Sequence, residues 1–150
     1  MTNKIVLDAN VFIKLFPDEP DREKAIELVD ALGKKEYVIL APTLFPYEVL
    51  RVAITERLQA QVHSVHGLIS DYRERNLELV EVDDETIREA IDISNTGNEK
   101  SGYPDFHDSI YHALAIVNGC PFITADKRHK AKTETLGNIV LLGDWEEVVL

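Results

Sequence analysis

The chain alternates short, largely apolar runs with longer segments in which apolar residues recur every three or four positions. The short runs are rich in valine, isoleucine and leucine, which is typical of strands buried on both faces of a parallel sheet. They lie at residues 5–7, 37–41, 77–82, 122–124 and 139–142. We therefore expect five β-strands.

Helical periodicity fills most of the chain between these runs. It predicts helices at 11–16, 21–35, 42–58, 61–75, 84–94, 105–118 and 127–135. The segment 96–104 holds two glycines and a proline and predicts a loop, whereas the tail at 145–150 allows a final strand or a turn. Because strands joined by helices form βαβ crossovers, we expect one α/β domain over 1–150, a three-layer α/β/α sandwich around a mainly parallel sheet of about five strands.

The composition predicts a soluble protein. Hydrophobic residues make up 45% and charged residues 29% of the chain, and no apolar run approaches the roughly 20 residues of a membrane span. The first residues lack the cationic start and apolar middle of a secretory signal. Cys120 is the single cysteine and cannot form an intrachain disulfide. A reducing cytoplasm is therefore the expected location.

The net charge of -11 argues against general affinity for nucleic acids. Polyanions bind through lysine and arginine, so general affinity for them is not expected and any contact must be local. The dense basic run is Lys127, Arg128, His129, Lys130 and Lys132. It is interpreted either as a solvated helix face or as a clamp for nucleic-acid phosphates, in which Lys127, Arg128 and Lys130 are the possible contacts.

Two carboxylates come just after strands that we expect to be neighbours. Asp8 follows the first predicted strand, and Asp126 stands in the same relation to the fourth. The carboxyl ends of parallel strands meet at one edge of a sheet, where ligands of α/β proteins bind. The alternative is that Asp8 merely caps the next helix.

Two further acids lie on strongly apolar helical segments. Asp108 is in the first turn of a helix that is apolar nearly all round, and Glu48 lies in apolar company. Each has a structural alternative: Asp105 and Asp108 match a capping box, and Glu48 has Arg51 three residues later as a possible ion-pair partner. His112 shares a helical face with Asp108, but a structural histidine is the favoured interpretation.

Four carboxylates that meet in one pocket repel one another unless a cation neutralises them. Oxygen ligands without a thiolate cluster favour a hard ion, Mg²⁺ or Mn²⁺, over zinc. Asn10 and Thr124 lie two residues from Asp8 and Asp126, and either can order a water or a phosphate oxygen. In such a site the ion lowers the pKa of a bound water and holds the scissile phosphate.

Four segments together carry a family resemblance. Residues 6–13, 47–50, 106–116 and 122–127 resemble, in order and spacing, the PIN domain family, especially its VapC-like toxins from bacterial and archaeal toxin-antitoxin pairs. The resemblance implies a metal-dependent endoribonuclease that hydrolyses RNA phosphodiester bonds through a metal-activated water, leaving 5′-phosphate and 3′-hydroxyl ends. It also implies a homodimer and an antitoxin partner.

Residue by residue, the resemblance matches Asp8, Glu48, Asp108 and Asp126 to the family's acidic, catalytic and metal-binding positions. Asn10 and Thr124 are then polar auxiliaries. Two features depart from the family pattern: Arg128 stands where many relatives have a further acid, and Asp105 is an additional carboxylate that either adjusts the site or only caps its helix.

Two alternative functions remain open on the sequence. One is another Mg²⁺-dependent phosphotransfer enzyme with Asp8 as phosphoacceptor, although such enzymes normally place a second aspartate where Asn10 stands. The other is a catalytically inactive PIN-like module that binds RNA or a protein partner.

Overall fold

Five parallel strands form the centre of the molecule. The computed structural model describes residues 3–56 and 61–150. The strands are β1 (Lys4–Leu7), β2 (Val38–Pro42), β3 (Leu77–Val80), β4 (Phe122–Thr124) and β5 (Ile139–Leu141). Their order is β3-β2-β1-β4-β5, and every neighbouring pair is parallel. This confirms the predicted sheet and the α/β/α class.

Helices connect the strands nearly as the periodicity predicts. They are α1 (Ala9–Ile13), α2 (Arg22–Lys34), α3 (Phe45–Thr55), α4 (Val62–Arg75), α5 (Asp84–Ser94), α6 (Phe106–Val117) and α7 (Lys127–Thr133). Short 3-10 helices follow at Glu134–Leu136 and Leu142–Glu147. In the described part of the chain, no helix has the length and apolar character needed to cross a membrane.

Several boundaries differ from the sequence prediction: α1 spans Ala9–Ile13 rather than 11–16, and β3 ends at Val80 rather than 82. The third predicted helix begins at Phe45 rather than 42, because β2 continues through Pro42 to pair with Val80. Its predicted end at 58 lies outside the described residues. The tail contains a 3-10 helix up to Glu147, so the alternative of a final strand is wrong.

Helix α6 is buried on two sides, which explains its nearly uniform apolar sequence. Tyr111 and Leu114 belong to the main core beside the sheet. Ile110 and Ala113 form a second apolar cluster with α5. A helix enclosed between a sheet and another helix has little freedom to shift, so its first turn is held at a fixed place over the sheet.

Two buried histidines pack against each other between α6 and α7. His112 on α6 and His129 on α7 both lie against Phe122, and their rings are hydrogen-bonded. His112 Nε2 donates to the carbonyl of Gly137 (2.8 Å), so its Nδ1 accepts from His129 Nε2 (3.2 Å) when both rings are neutral. His112 is therefore a structural residue, as favoured from the sequence.

The histidine pair predicts a loss of stability on acidification. Burial lowers the pKa of both rings, that of His129 from 6.5 to about 4. The unfolded chain therefore binds more protons than the folded one between these values, and stability falls as pH drops through this window. In urea unfolding, the wild type should lose about 1 to 2 kcal/mol more than His129→Gln between about pH 7 and about pH 5.

The control for this measurement is His66→Gln, which changes an exposed histidine of α4. It should keep the wild-type dependence on pH. An identical pH dependence in wild type and His129→Gln would contradict the prediction.

Candidate active site

The register of the two central strands places Asp8 and the 124–126 segment side by side. Val6 pairs with Phe122 and Leu7 with Ile123, so β1 and β4 end at the same edge of the sheet. The backbone N–H of Asp8 donates to the carbonyl of Ile123 (3.0 Å). The candidate acids Asp8 and Asp126 therefore lie at one edge.

Five residues join the two strand ends in a hydrogen-bonded network. Thr124 Oγ1 donates to Asp8 Oδ2 (2.9 Å) and accepts from the backbone N–H of Asp126 (3.0 Å). Asn10 Nδ2 donates to the same hydroxyl (3.3 Å), and Asn10 Oδ1 accepts from the backbone N–H of Ala125 (3.0 Å). Asp8 is the N-cap residue of α1, but its carboxylate also accepts a hydrogen bond from Thr124 of the neighbouring strand, so it does more than cap the helix.

The Asp8 carboxylate is held in an unfavourable environment. It is only 3% exposed, and burial raises its pKa from 3.8 to about 7. The hydrogen bond from Thr124 opposes this rise, while the negative charges of Glu48 and Asp126 add to it. Asp8 therefore favours protonation unless a positive charge lies beside it.

Asp108 lies in the first turn of α6, close enough to Asp8 and the other acids to be affected by their charges. Burial and, to a smaller extent, the charges of Asp8, Asp105, Asp126 and Glu48 together raise its pKa from 3.8 to about 8. Asp105 is the N-cap of α6, and its Oδ1 accepts from the backbone N–H of Asp108 (3.2 Å). Capping by Asp105 is thus compatible with Asp108 facing the other acids.

Glu48 reaches this group from α3 through a partner that the sequence did not reveal. Its Oε1 accepts a hydrogen bond from the hydroxyl of Tyr111 (2.7 Å), a fully buried residue of α6. Burial raises the pKa of Glu48, the Tyr111 bond lowers it, and Arg51 is the weakest of the influences on it. The expected Glu48–Arg51 pair is thus replaced by a bond between two helices that are distant in sequence.

The donor set fits a small hard cation. Within residues 3–56 and 61–150, no three aspartate, glutamate, histidine or cysteine side chains converge tightly enough to form a ready-made cage. Mg²⁺ does not require one, because it keeps several waters and binds through one or two carboxylates. Burial and, to a smaller extent, mutual repulsion raise the pKa of Asp8 and Asp108, and a cation beside the two carboxylates would favour their charged forms.

The residues of the basic run beside the acids differ in exposure and in their partners. Asp126 Oδ1 caps α7 by accepting from the backbone N–H groups of Arg128 and His129 (2.9 and 3.1 Å). Lys127 and Arg128 are exposed, whereas Lys130 Nζ is paired with Glu134 (2.9 Å). Lys130 is therefore less available to a phosphate than the sequence suggested.

The fold and its acidic edge define a class, an α/β/α protein with carboxylates gathered at the ends of the central strands. The profile of the PIN domain matches residues 5–134. The chain therefore belongs to the PIN domain family, as the four sequence segments indicated. No curated protein sequence matches it.

Solved structures show the same fold at low sequence identity. VapBC2 from Rickettsia felis bound to promoter DNA is 15% identical, with a TM-score of 0.66 over 92% of this chain and 96% of that one. A toxin-antitoxin complex from Klebsiella pneumoniae is 16% identical, with a TM-score of 0.64 over 92% and 97%. VapC20 of Mycobacterium tuberculosis, described as a sarcin-ricin loop cleaving toxin, is 13% identical, with a TM-score of 0.66 over 85% and 93%.

The repulsion among the acids predicts that removing one of them stabilises the ion-free protein. Because the pKa of Asp108 is raised from 3.8 to about 8, its contribution to stability is lost as pH rises through this range. Asp108→Asn should raise the melting temperature in chelator at about pH 8 by roughly 2–4 °C, which corresponds to about 1 kcal/mol after discounting for partial exposure. The gain should shrink toward about pH 5.

Asp92→Asn, which changes an exposed aspartate on α5, serves as the matched control and should melt like the wild type. Added Mn²⁺ should raise the melting temperature of the wild type more than that of Asp108→Asn. A lower melting temperature for Asp108→Asn in chelator at about pH 8 would show that the acids do not repel one another there.

Proposed function

We propose that this protein is an endoribonuclease dependent on Mg²⁺ or Mn²⁺, and the toxin of a type II toxin-antitoxin pair. The observation that carries the proposal is the buried Asp8, held by Thr124 at the carboxyl end of β1 and repelled by the other acids of a PIN fold. A buried carboxylate with this environment is more typical of a functional site than of a structural one.

Asp8, Glu48, Asp108 and Asp126 are the residues that would hold the ion. A bound divalent ion supplies positive charge for the phosphate and for the oxygens that attack and leave it. Asn10 and Thr124 fix the orientation of Asp8, and the Tyr111 hydroxyl fixes Glu48. Preorganised ligands avoid the cost of reorienting side chains when charge develops during the reaction.

Water is the attacking group in the proposed reaction, and a divalent ion held by these carboxylates would lower the pKa of that water. The expected products carry 5′-phosphate and 3′-hydroxyl ends. Asp8 needs no covalent role in this scheme.

Similar proteins support the biological assignment. The VapBC2 structure and the Klebsiella pneumoniae structure are toxin-antitoxin complexes, and VapC20 is described as cleaving the sarcin-ricin loop. We extend to this chain an RNA substrate, an antitoxin partner, a homodimer and a cytoplasmic location. Helix α3 supports a protein contact because it exposes Tyr47 (76%) and Ile54 (56%) to solvent.

RNA cleavage tests the proposed function directly. With Mn²⁺, the wild-type chain should cleave a single-stranded RNA, and Asp8→Asn should lower the rate at least about 100-fold because it removes a charge that the ion requires. Product ends are identified by their susceptibility to a 5′-phosphate-dependent exonuclease. Chelator should abolish cleavage by the wild type.

Asp92→Asn is again the control and should cleave at the wild-type rate. Melting curves should show that Asp8→Asn remains folded. A folded wild-type protein that binds Mn²⁺ but cleaves no RNA would favour the binding module instead, and equal rates for wild type and Asp8→Asn would remove Asp8 from the mechanism.

A further inference from the structure

An open cleft lies beside the acidic edge, between the 96–102 loop and α7. Its volume is about 630 Å³. The residues that line it are Thr96, Gly97, Asn98, Ser101, Gly102, Arg128, Ala131 and Lys132. Helix α7 begins directly after Asp126, so the cleft adjoins the candidate site without including its acids.

The cleft is cationic in a strongly acidic protein. Arg128 and Lys132 are four residues apart on α7 and therefore share one helical face. The lining set contains these two cations and no aspartate or glutamate. Lys130, on a different face of the helix, is neutralised by Glu134, so the structure separates the basic run into paired and cleft-facing residues.

The opposite wall of the cleft is a defined loop. Asn98 Oδ1 accepts from the backbone N–H groups of Lys100 and Ser101 (3.0 and 2.8 Å), and Asn98 and Gly102 exchange two backbone bonds. A Cβ at Gly97 would lie 2.1 Å from the carbonyl oxygen of Gly102, so only glycine allows the two strands of this loop to approach. The shape of this wall therefore requires glycine at position 97.

Lys132 connects the cleft to an exposed aromatic residue. Its Nζ donates to the backbone carbonyl of Tyr103 (3.3 Å), and the side chain of Tyr103 is 52% exposed. Phe106, at 41% exposure, follows in the first turn of α6 next to Asp105. Two exposed rings thus lie in sequence between the cleft wall and the candidate acids, and exposed aromatic rings stack on unpaired bases.

We propose that this cleft binds a backbone phosphate of single-stranded RNA outside the scissile bond, through Arg128 and Lys132. The inference rests on the proposed function and adds to it a second point of contact for the substrate. Two cations without competing acids bind a phosphodiester, and the adjacent rings favour an unpaired strand over a duplex. The cleft would keep the RNA in place while the acidic edge acts on a neighbouring phosphate.

Binding without cleavage tests the cleft independently of catalysis. The probe is a fluorescein-labelled single-stranded RNA of roughly ten nucleotides, titrated by anisotropy with the Asp8→Asn protein in chelator. Adding Arg128→Ala or Lys132→Ala should each weaken binding about 3- to 10-fold and reduce the slope of log K against log salt by roughly 0.7. Lys132→Arg should retain most of the affinity.

Matched controls are Arg73→Ala and Lys24→Ala, which remove exposed cations from α4 and α2. Both should bind within about twofold of the parent, with a smaller change of salt slope than either cleft variant. Because Lys132 also bonds to Tyr103, Arg128→Ala provides the test that leaves this loop contact intact.

The outcomes separate this inference from the nuclease proposal. In the otherwise wild-type protein, with Asp8 intact and Mn²⁺ present, Arg128→Ala should raise KM for the same RNA more than it lowers kcat. Unchanged affinity and KM in both cleft variants would overturn the inference even if the wild type cleaves RNA. Unchanged RNA affinity together with weaker binding of a polyglutamate peptide would also overturn it, in favour of an acidic protein partner. Absence of cleavage by the wild type would instead count against the nuclease proposal.

Discussion

The burial of the Asp8 carboxylate is the constraint on which the site depends. Its pKa shift from 3.8 to about 7 corresponds to roughly 4 kcal/mol at most, a large share of the 5–15 kcal/mol that stabilises a typical domain. This net shift already includes the opposing effect of the hydrogen bond from Thr124. Such a residue persists because β1 lies in the centre of the sheet, where its neighbours leave the side chain no route to solvent.

The other acids are held by elements that the core immobilises. Helix α6 is enclosed by the sheet and α5, so Asp108 cannot move away from Asp8 without disrupting two apolar clusters. Glu48 is tied to the same helix through Tyr111. A site supported by a rigid core retains its electrostatic strain, whereas acids on loops would separate and relax.

The sequence was sufficient to predict the position of a candidate residue where that position follows from the order of neighbouring elements. Asp8 and Asp126 come just after apolar runs, and parallel pairing alone places strand ends together. It was insufficient where a contact joins distant helices: Tyr111 is 63 positions from Glu48, and a tyrosine in an apolar helix signals only a core residue. The predicted start of α3 at 42 was wrong for a related reason. Pro42 pairs with Val80 of β3, and this long-range pairing overrides the local preference of proline for the start of a helix. The i,i+4 spacing of Lys130 and Glu134 is compatible with their ion pair, whereas no local pattern encodes the contact of Lys132 with Tyr103, 29 positions away.

The distribution of charge explains how an acidic chain can accommodate a polyanion. Ionised acids at the carboxyl edge repel a phosphate, so a divalent ion bound there would favour the approach of RNA. The cleft with Arg128 and Lys132 has no acid in its lining and remains attractive to a phosphate without the ion. In the proposed scheme, affinity for RNA and cleavage of RNA would therefore have separate electrostatic origins. With a net charge of -11, the rest of the surface discourages RNA from binding anywhere else.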